Sequence, residues 1–178
     1  MSTPRSQRPQ FTSILSSAWS FYSNTCASIG NDFRVHFLNS SGADLQNLRI
    51  SRNQRATTIA WPISSNLLAI GWSDGTLSIW NDGDIINNTP LEKSPIMRLA
   101  WHSLNSTIVT SSKNGMIAMW TIQNDNSEIA NICNIQSQIQ VQSLIFSPTE
   151  ELTAYVISKE GSIFLYQKDM TEIKEIIG

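Results

Sequence analysis

The chain has 178 residues, 40% hydrophobic and 15% charged, with twelve Lys and Arg against fourteen Asp and Glu for a net charge of -2. That balance excludes a disordered polar chain, and the scattered cations never form the positive stripe a phosphate backbone needs, so nucleic acid is not an expected partner. No window approaches ~18 consecutive apolar residues and the start MSTPRSQRPQ lacks the apolar stretch of a secretory signal, so a soluble, intracellular protein without a transmembrane segment is expected.

Residues 1–13 read as a disordered arm; Arg5 and Arg8 with no acid before Asp32 also suit a transit peptide, the less favoured reading. A worn unit follows, with ILSSAWS at 14–20 and GNDFRVHF at 30–37 placing Trp19 and Phe37 at two aromatic positions. The next unit is cleaner. ATTIAW, LLAIGW and TLSIW are short β-branched or aromatic runs parted by turn signals, which is the pattern of strands. The turn SDG at 73–75 offers Gly75 for the positive φ of a tight hairpin, so LLAIGW and TLSIW should pair. Alternation puts Leu77 and Ile79 on one face of TLSIW and Thr76, Ser78 and Trp80 on the other. Bulk on both faces predicts a sheet held between two others.

The same grammar returns 40 residues on, pairing Trp61 with Trp101, Gly75 with Gly115 and Trp80 with Trp120. Within 124–140, Ile129, Ile132 and Ile135 recur every three residues, a spacing suited to a helix face, yet the unit calls for an outer strand and one is expected there. The last unit reads VQSLIFSP at 141–148 and SKEGSIFLY at 158–166, with Phe146, Gly161 and Tyr166 at the marker positions. Across the four units the two aromatics stand 18, 19, 19 and 20 residues apart. A period of ~40 residues with four short strands per unit predicts an all-β, WD40-type β-propeller. Four blades are expected, at about 14–55, 56–95, 96–140 and 141–178, as part of a larger propeller. Trp19, Trp61, Asp74, Gly75, Trp80, Trp101, Gly115, Trp120, Phe146, Gly161 and Tyr166 are its structural repeat residues.

Nothing in the sequence assembles a catalytic, metal or cofactor site. Cys26 and Cys133 lack a CxxC spacing and read as reduced core thiols. His36 lies in the alternating run FRVHF as an exposed or half-buried strand residue, and His102 follows a strand end as a turn residue. Neither accompanies a nucleophile elbow, and no Gly-rich phosphate loop occurs. Two residues break the repeat. Trp72 stands where the other units have Ser112 and Ser158, and is weighed equally as core and as an exposed protein-binding anchor. Arg98 stands in IMRLAW where other units have Thr58 and Ser143, either salt-bridged or turned to the channel rim as a second protein-binding candidate. Lys113 and Lys159 read as solvated turn residues.

The string LLAIGWSDGTLSIWNDGD resembles the end of a WD blade, in which a turn Asp bonds a Trp on the following strand and a Trp-Asp pair closes the repeat. Asp74 and Trp80 occupy those positions, although the closing pairs are Trp80-Asn81, Trp120-Thr121 and Tyr166-Gln167, Asn114 replaces the turn acid, and no Gly-His pair opens a blade. The order of motifs, with LLAIGWSDG in the second unit and LAWHS opening the third, is similar to the amino-terminal propeller of the intraflagellar transport protein 140 family over roughly residues 14–150. That resemblance implies a longer protein with paired propellers and a helical tail. It implies a non-enzymatic scaffold without cofactors, a subunit of intraflagellar transport complex A that meets other complex A subunits and ciliary cargo. It places the protein at the axoneme and basal body of the cilium or flagellum, and in the cytoplasm. The alternative is a generic WD adaptor of a ubiquitin ligase or vesicle coat.

Overall fold

A computed structural model describes residues 13–103, 105–123, 128–149, 152–168 and 173–178. These form four antiparallel sheets of four strands, each sheet following chain order. The first holds β1 (Ile14–Ser20), β2 (Thr25–Gly30), β3 (Arg34–Asn39) and β4 (Ile50–Ser51), with a single 3₁₀ turn at Gln46–Leu48. The second holds β5 (Ala56–Ala60), β6 (Leu67–Trp72), β7 (Leu77–Asn81) and β8 (Asp84–Asn87). The third holds β9 (Ile96–Trp101), β10 (Thr107–Ser112), β11 (Met116–Gln123) and β12 (Glu128–Gln136). The fourth holds β13 (Val141–Phe146), β14 (Thr153–Ser158), β15 (Ile163–Gln167) and β16 (Lys174–Ile177).

Alternation along the central strands builds three apolar slabs, one between each pair of consecutive sheets. On β6, Leu68, Ile70 and Trp72 face the first sheet while Leu67 and Ala69 face the third. On β11, Ala118, Trp120 and Ile122 face the second sheet while Ile117 and Met119 face the fourth. The repeated aromatics all reach back toward the preceding sheet: Trp61 and Trp80 into the first slab, Trp101 and Trp120 into the second, Phe146 and Tyr166 into the third. The first strands lie side by side, β1 on β5, β5 on β9 and β9 on β13. Polar ties link them, since Trp101 Nε1 donates to Ala60 O at 3.0 Å and the Thr57 hydroxyl lies between Gly71 O and Ile96 O.

The expected outer strand is present as β12, and its three-residue spacing has a structural cause. Met119 pairs with Cys133 but Trp120 with Asn131, so Ile132 is the extra residue of a β-bulge. The bulge inverts the alternation, so that Ile129 packs into the second slab while Ile132, Cys133 and Ile135 pack into the third. Three isoleucines at spacing three thus serve two cores from one strand.

One aromatic assignment changes. In the register, Trp19 pairs with Cys26 and Cys26 with Leu38, whereas Trp101 pairs with Ile108 and Ile108 with Trp120. Leu38, not Phe37, therefore occupies the third-strand aromatic position of the first sheet, and the one-residue slip turns Phe37 forward onto Trp80, with centroids 4.6 Å apart. Trp19 holds the repeat position but is 40% exposed, since among the described residues no sheet packs behind β1. Cys26 and Cys133 are free and half-buried rather than sunk in the core. Cys133 Sγ accepts a hydrogen bond from the Tyr166 hydroxyl at 3.3 Å.

Candidate protein-interaction site

Trp72 is not an exposed anchor. Its side chain is wholly buried, with the Arg52 guanidinium 4.6 Å above the ring and Nε1 donating to Ser78 Oγ at 2.7 Å. Ser78 in turn bonds Asn87 Oδ1, so the contact crosses β6, β7 and β8. The sequence signal misled because the equivalent Ser112 and Ser158 serve a different purpose. Their hydroxyls close the next turn, accepting from Met116 N and Ser162 N at 3.1 Å each. Trp72 lacks that hydroxyl, and Asp74 replaces it by accepting from Thr76 N at 3.0 Å. Asp74 is therefore a turn-closing residue that also meets Arg52 at 3.5 Å, and among the described residues it makes no bond to Trp80.

The hairpin glycines act sterically as well as conformationally. Gly75 and Gly115 have φ of +87° and +90°, and a Cβ on Gly115 would lie 2.0 Å from Ser137 O in the connection to the next sheet. Each hairpin thereby docks against the chain leaving its own sheet. Gly161 has φ of +98° but nothing within 4 Å of a would-be Cβ.

The two histidines are buried structural side chains. His36 is 4% exposed with Nε2 2.6 Å from Asp32 Oδ2, which corrects the expectation of an exposed or half-buried ring. His102 stacks edge-on against Phe146 at 5.1 Å across the third slab. Among the described residues no three His, Cys, Asp or Glu side chains gather as metal ligands, and no helix is long and apolar enough to cross a membrane.

Two clefts open at opposite ends of the sheets. One, of about 540 Å³, lies among the turns that join first to second and third to fourth strands, lined by Tyr22, Asn66, Asp82, Trp101 and Asn105. The other, of about 440 Å³, lies where the second-to-third-strand hairpins meet the connection 137–140, between the third and fourth sheets. Arg98 lines this second cleft. Its Nε donates to Gln142 O at 2.8 Å and its Nη1 to Met97 O at 2.7 Å, so it ties β9 to β13 through carbonyls and forms no salt bridge among the described residues. Lys113 and Lys159 line the same cleft, so the structure gathers the three cations that the sequence scatters.

Four-stranded sheets stacked through apolar slabs, with first strands side by side and loops gathered at the two ends, define the blades of a WD-type β-propeller. The family model described as the IFT140 first beta-propeller matches residues 21–158, and the chain belongs to that family. No curated protein matches the chain.

Proposed function

We propose that this chain is a non-catalytic protein-binding scaffold of intraflagellar transport complex A, acting in retrograde ciliary transport and cilium assembly. The observation that carries this reading is the family match over residues 21–158. The distribution of side chains supports it, because the large aromatics of the second, third and fourth units are spent on the slabs while loops at both ends stay available for partners. On this reading its partners are other complex A subunits and ciliary cargo, and it resides in the cilium or flagellum, at the axoneme and basal body, and in the cytoplasm.

Affinity purification from ciliated cells of the source organism, with the chain as tagged bait and mass spectrometry of what is retained, tests the proposal. Recovery of complex A subunits supports it. Recovery of ubiquitin-ligase or coat components without transport proteins would leave a generic WD adaptor in its place.

A further inference from the structure

We propose that the cleft between the third and fourth sheets is an anion-binding site that receives an acidic side chain, a carboxylate, from an extended segment of a partner protein. Arg98, Lys113 and Lys159 line it, and among the described residues no Asp or Glu does, although the chain as a whole is negative. None of the three cations has a carboxylate partner among the described residues. Two acids stand close by without lining the cleft: Glu92 is bonded to Ser112, which does line it, and Glu160 is exposed.

The second sheet stacks without these cations. Thr58 and Ser143 stand where Arg98 does, and Ser73 where Lys113 does, in sheets that pack in the same way. Arg98 is also held ready. Two of its five N–H donors are fixed on Gln142 O and Met97 O, which orients the guanidinium and leaves three N–H for a carboxylate. Among the described residues the Lys159 ammonium bonds Gln140 Oε1, at 3.4 Å, and Lys113 is exposed in the lining.

A second, independent observation points into the same place. Ser111 lines the cleft, is wholly buried, and its Oγ has no hydrogen-bond partner among the described residues. A buried hydroxyl without a partner is costly, and this one lies in the wall of the cleft, where a small shift of the wall would let an entering acceptor reach it. Met97, Ile139 and Val141 supply an apolar wall beside the cations, and among the described residues no aromatic lines the cleft. That combination fits a peptide in which acidic and aliphatic side chains alternate, and it lacks the stacking surface a nucleic acid strand uses.

The inference rests on the reading of this propeller as a partner-binding scaffold, but it is tested separately. The probe is a short fluorescein-labelled peptide alternating glutamate and leucine, titrated against the full chain at low salt and followed by anisotropy. Two controls replace each glutamate by glutamine or by phosphoserine. The glutamate peptide is expected to bind and to weaken as salt rises, and the glutamine peptide to lose binding. Lys113→Gln with Lys159→Gln should weaken binding several-fold, and Arg98→Gln by about tenfold or more. Because Arg98 also ties two sheets, the lysine pair, whose side chains are exposed, carries the decision if R98Q melts early. Equal binding of the glutamine peptide, or parent affinity in the lysine double variant, would overturn the proposal. Much tighter binding of the phosphoserine peptide would overturn the carboxylate assignment in favour of a phosphoryl ligand. A failed titration beside a successful complex A purification would sink the cleft alone, and the reverse would sink only the ciliary assignment.

Discussion

Trp80→Ala should strike one slab and spare the others. The indole is 3% exposed between the first and second sheets, with Phe37 and Trp61 rings centred 4.6 and 5.9 Å away. Truncating a buried Trp costs about 3–5 kcal/mol, a range that already contains the two ring contacts. Set against a domain stability of ~5–15 kcal/mol, this is a large share of the total. Stacked units, however, interact mainly with their nearest neighbours. The loss should therefore appear in β2, β3 and β6, which line the damaged slab, and far less in β14 and β15, which pack two slabs away. Amide hydrogen exchange of parent and variant resolves this by segment, with urea unfolding giving the overall cost. Unchanged exchange in β2 and β3 would refute the packing argument, and equal acceleration in β14 and β15 of a still-folded variant would refute the nearest-neighbour one. Trp120→Ala moves the same test to the second slab.

Trp72→Phe keeps an apolar ring but removes the indole N–H that Ser78 accepts, so the urea midpoint should fall by the equivalent of about 1–2 kcal/mol while partner binding stays unchanged. Gly161→Ala should cost about 1–2 kcal/mol, the penalty of a left-handed backbone conformation alone, whereas Gly115→Ala adds a collision with Ser137 O and should cost distinctly more; equal losses by thermal melting would refute the docking of hairpin on connection. Burial, and then its hydrogen bond to Cys133, pushes the Tyr166 phenol well above its ordinary range. A raised folded-state value stabilises the protein fully below the unfolded value of about 10, and that contribution is lost as pH climbs beyond it. The parent should thus lose stability above about pH 10 more steeply than Tyr166→Phe, and parallel curves would show that the phenol titrates alike in both states.

The fold was legible because the repeat constrains it many times over. Three marker pairs at one period, together with bulk on both faces of TLSIW, already require sheets stacked on sheets. What stayed hidden were single-residue shifts in register. Phe37 is the conspicuous aromatic of its run, yet strand pairing hands the repeat position to Leu38, and a period of two leaves no intermediate outcome. The bulge at Ile132 is likewise a matter of hydrogen-bond register, and its isoleucine spacing mimics a helix face until the partner strand is known. The candidate site was half legible. Arg98 stood out as a departure from the repeat, but its companions Lys113 and Lys159 looked like ordinary turn residues, because only the close approach of the third and fourth sheets brings their hairpins to one cleft.

A departure from a repeat has two physical outcomes, and they separate folding from function in this chain. Trp72 departs, and the structure absorbs it: the ring is buried, Arg52 covers it, Ser78 takes its N–H, and Asp74 assumes the turn closure that serine performs in the later sheets. Every consequence of the change is answered within the fold, so nothing about it asks for a partner. Arg98 departs with only part of such an answer: Gln142 O and Met97 O take two of its N–H groups, while its charge, like those of Lys113 and Lys159, meets no carboxylate among the described residues. The second sheet, with Thr58 and Ser73 at the corresponding places, stacks without such cations, no described carboxylate neutralises the three charges, and Ser111 in the cleft wall has no hydroxyl partner among the described residues. Three cations without a described carboxylate partner, set around an open cleft, are best explained by an anionic group from outside the chain.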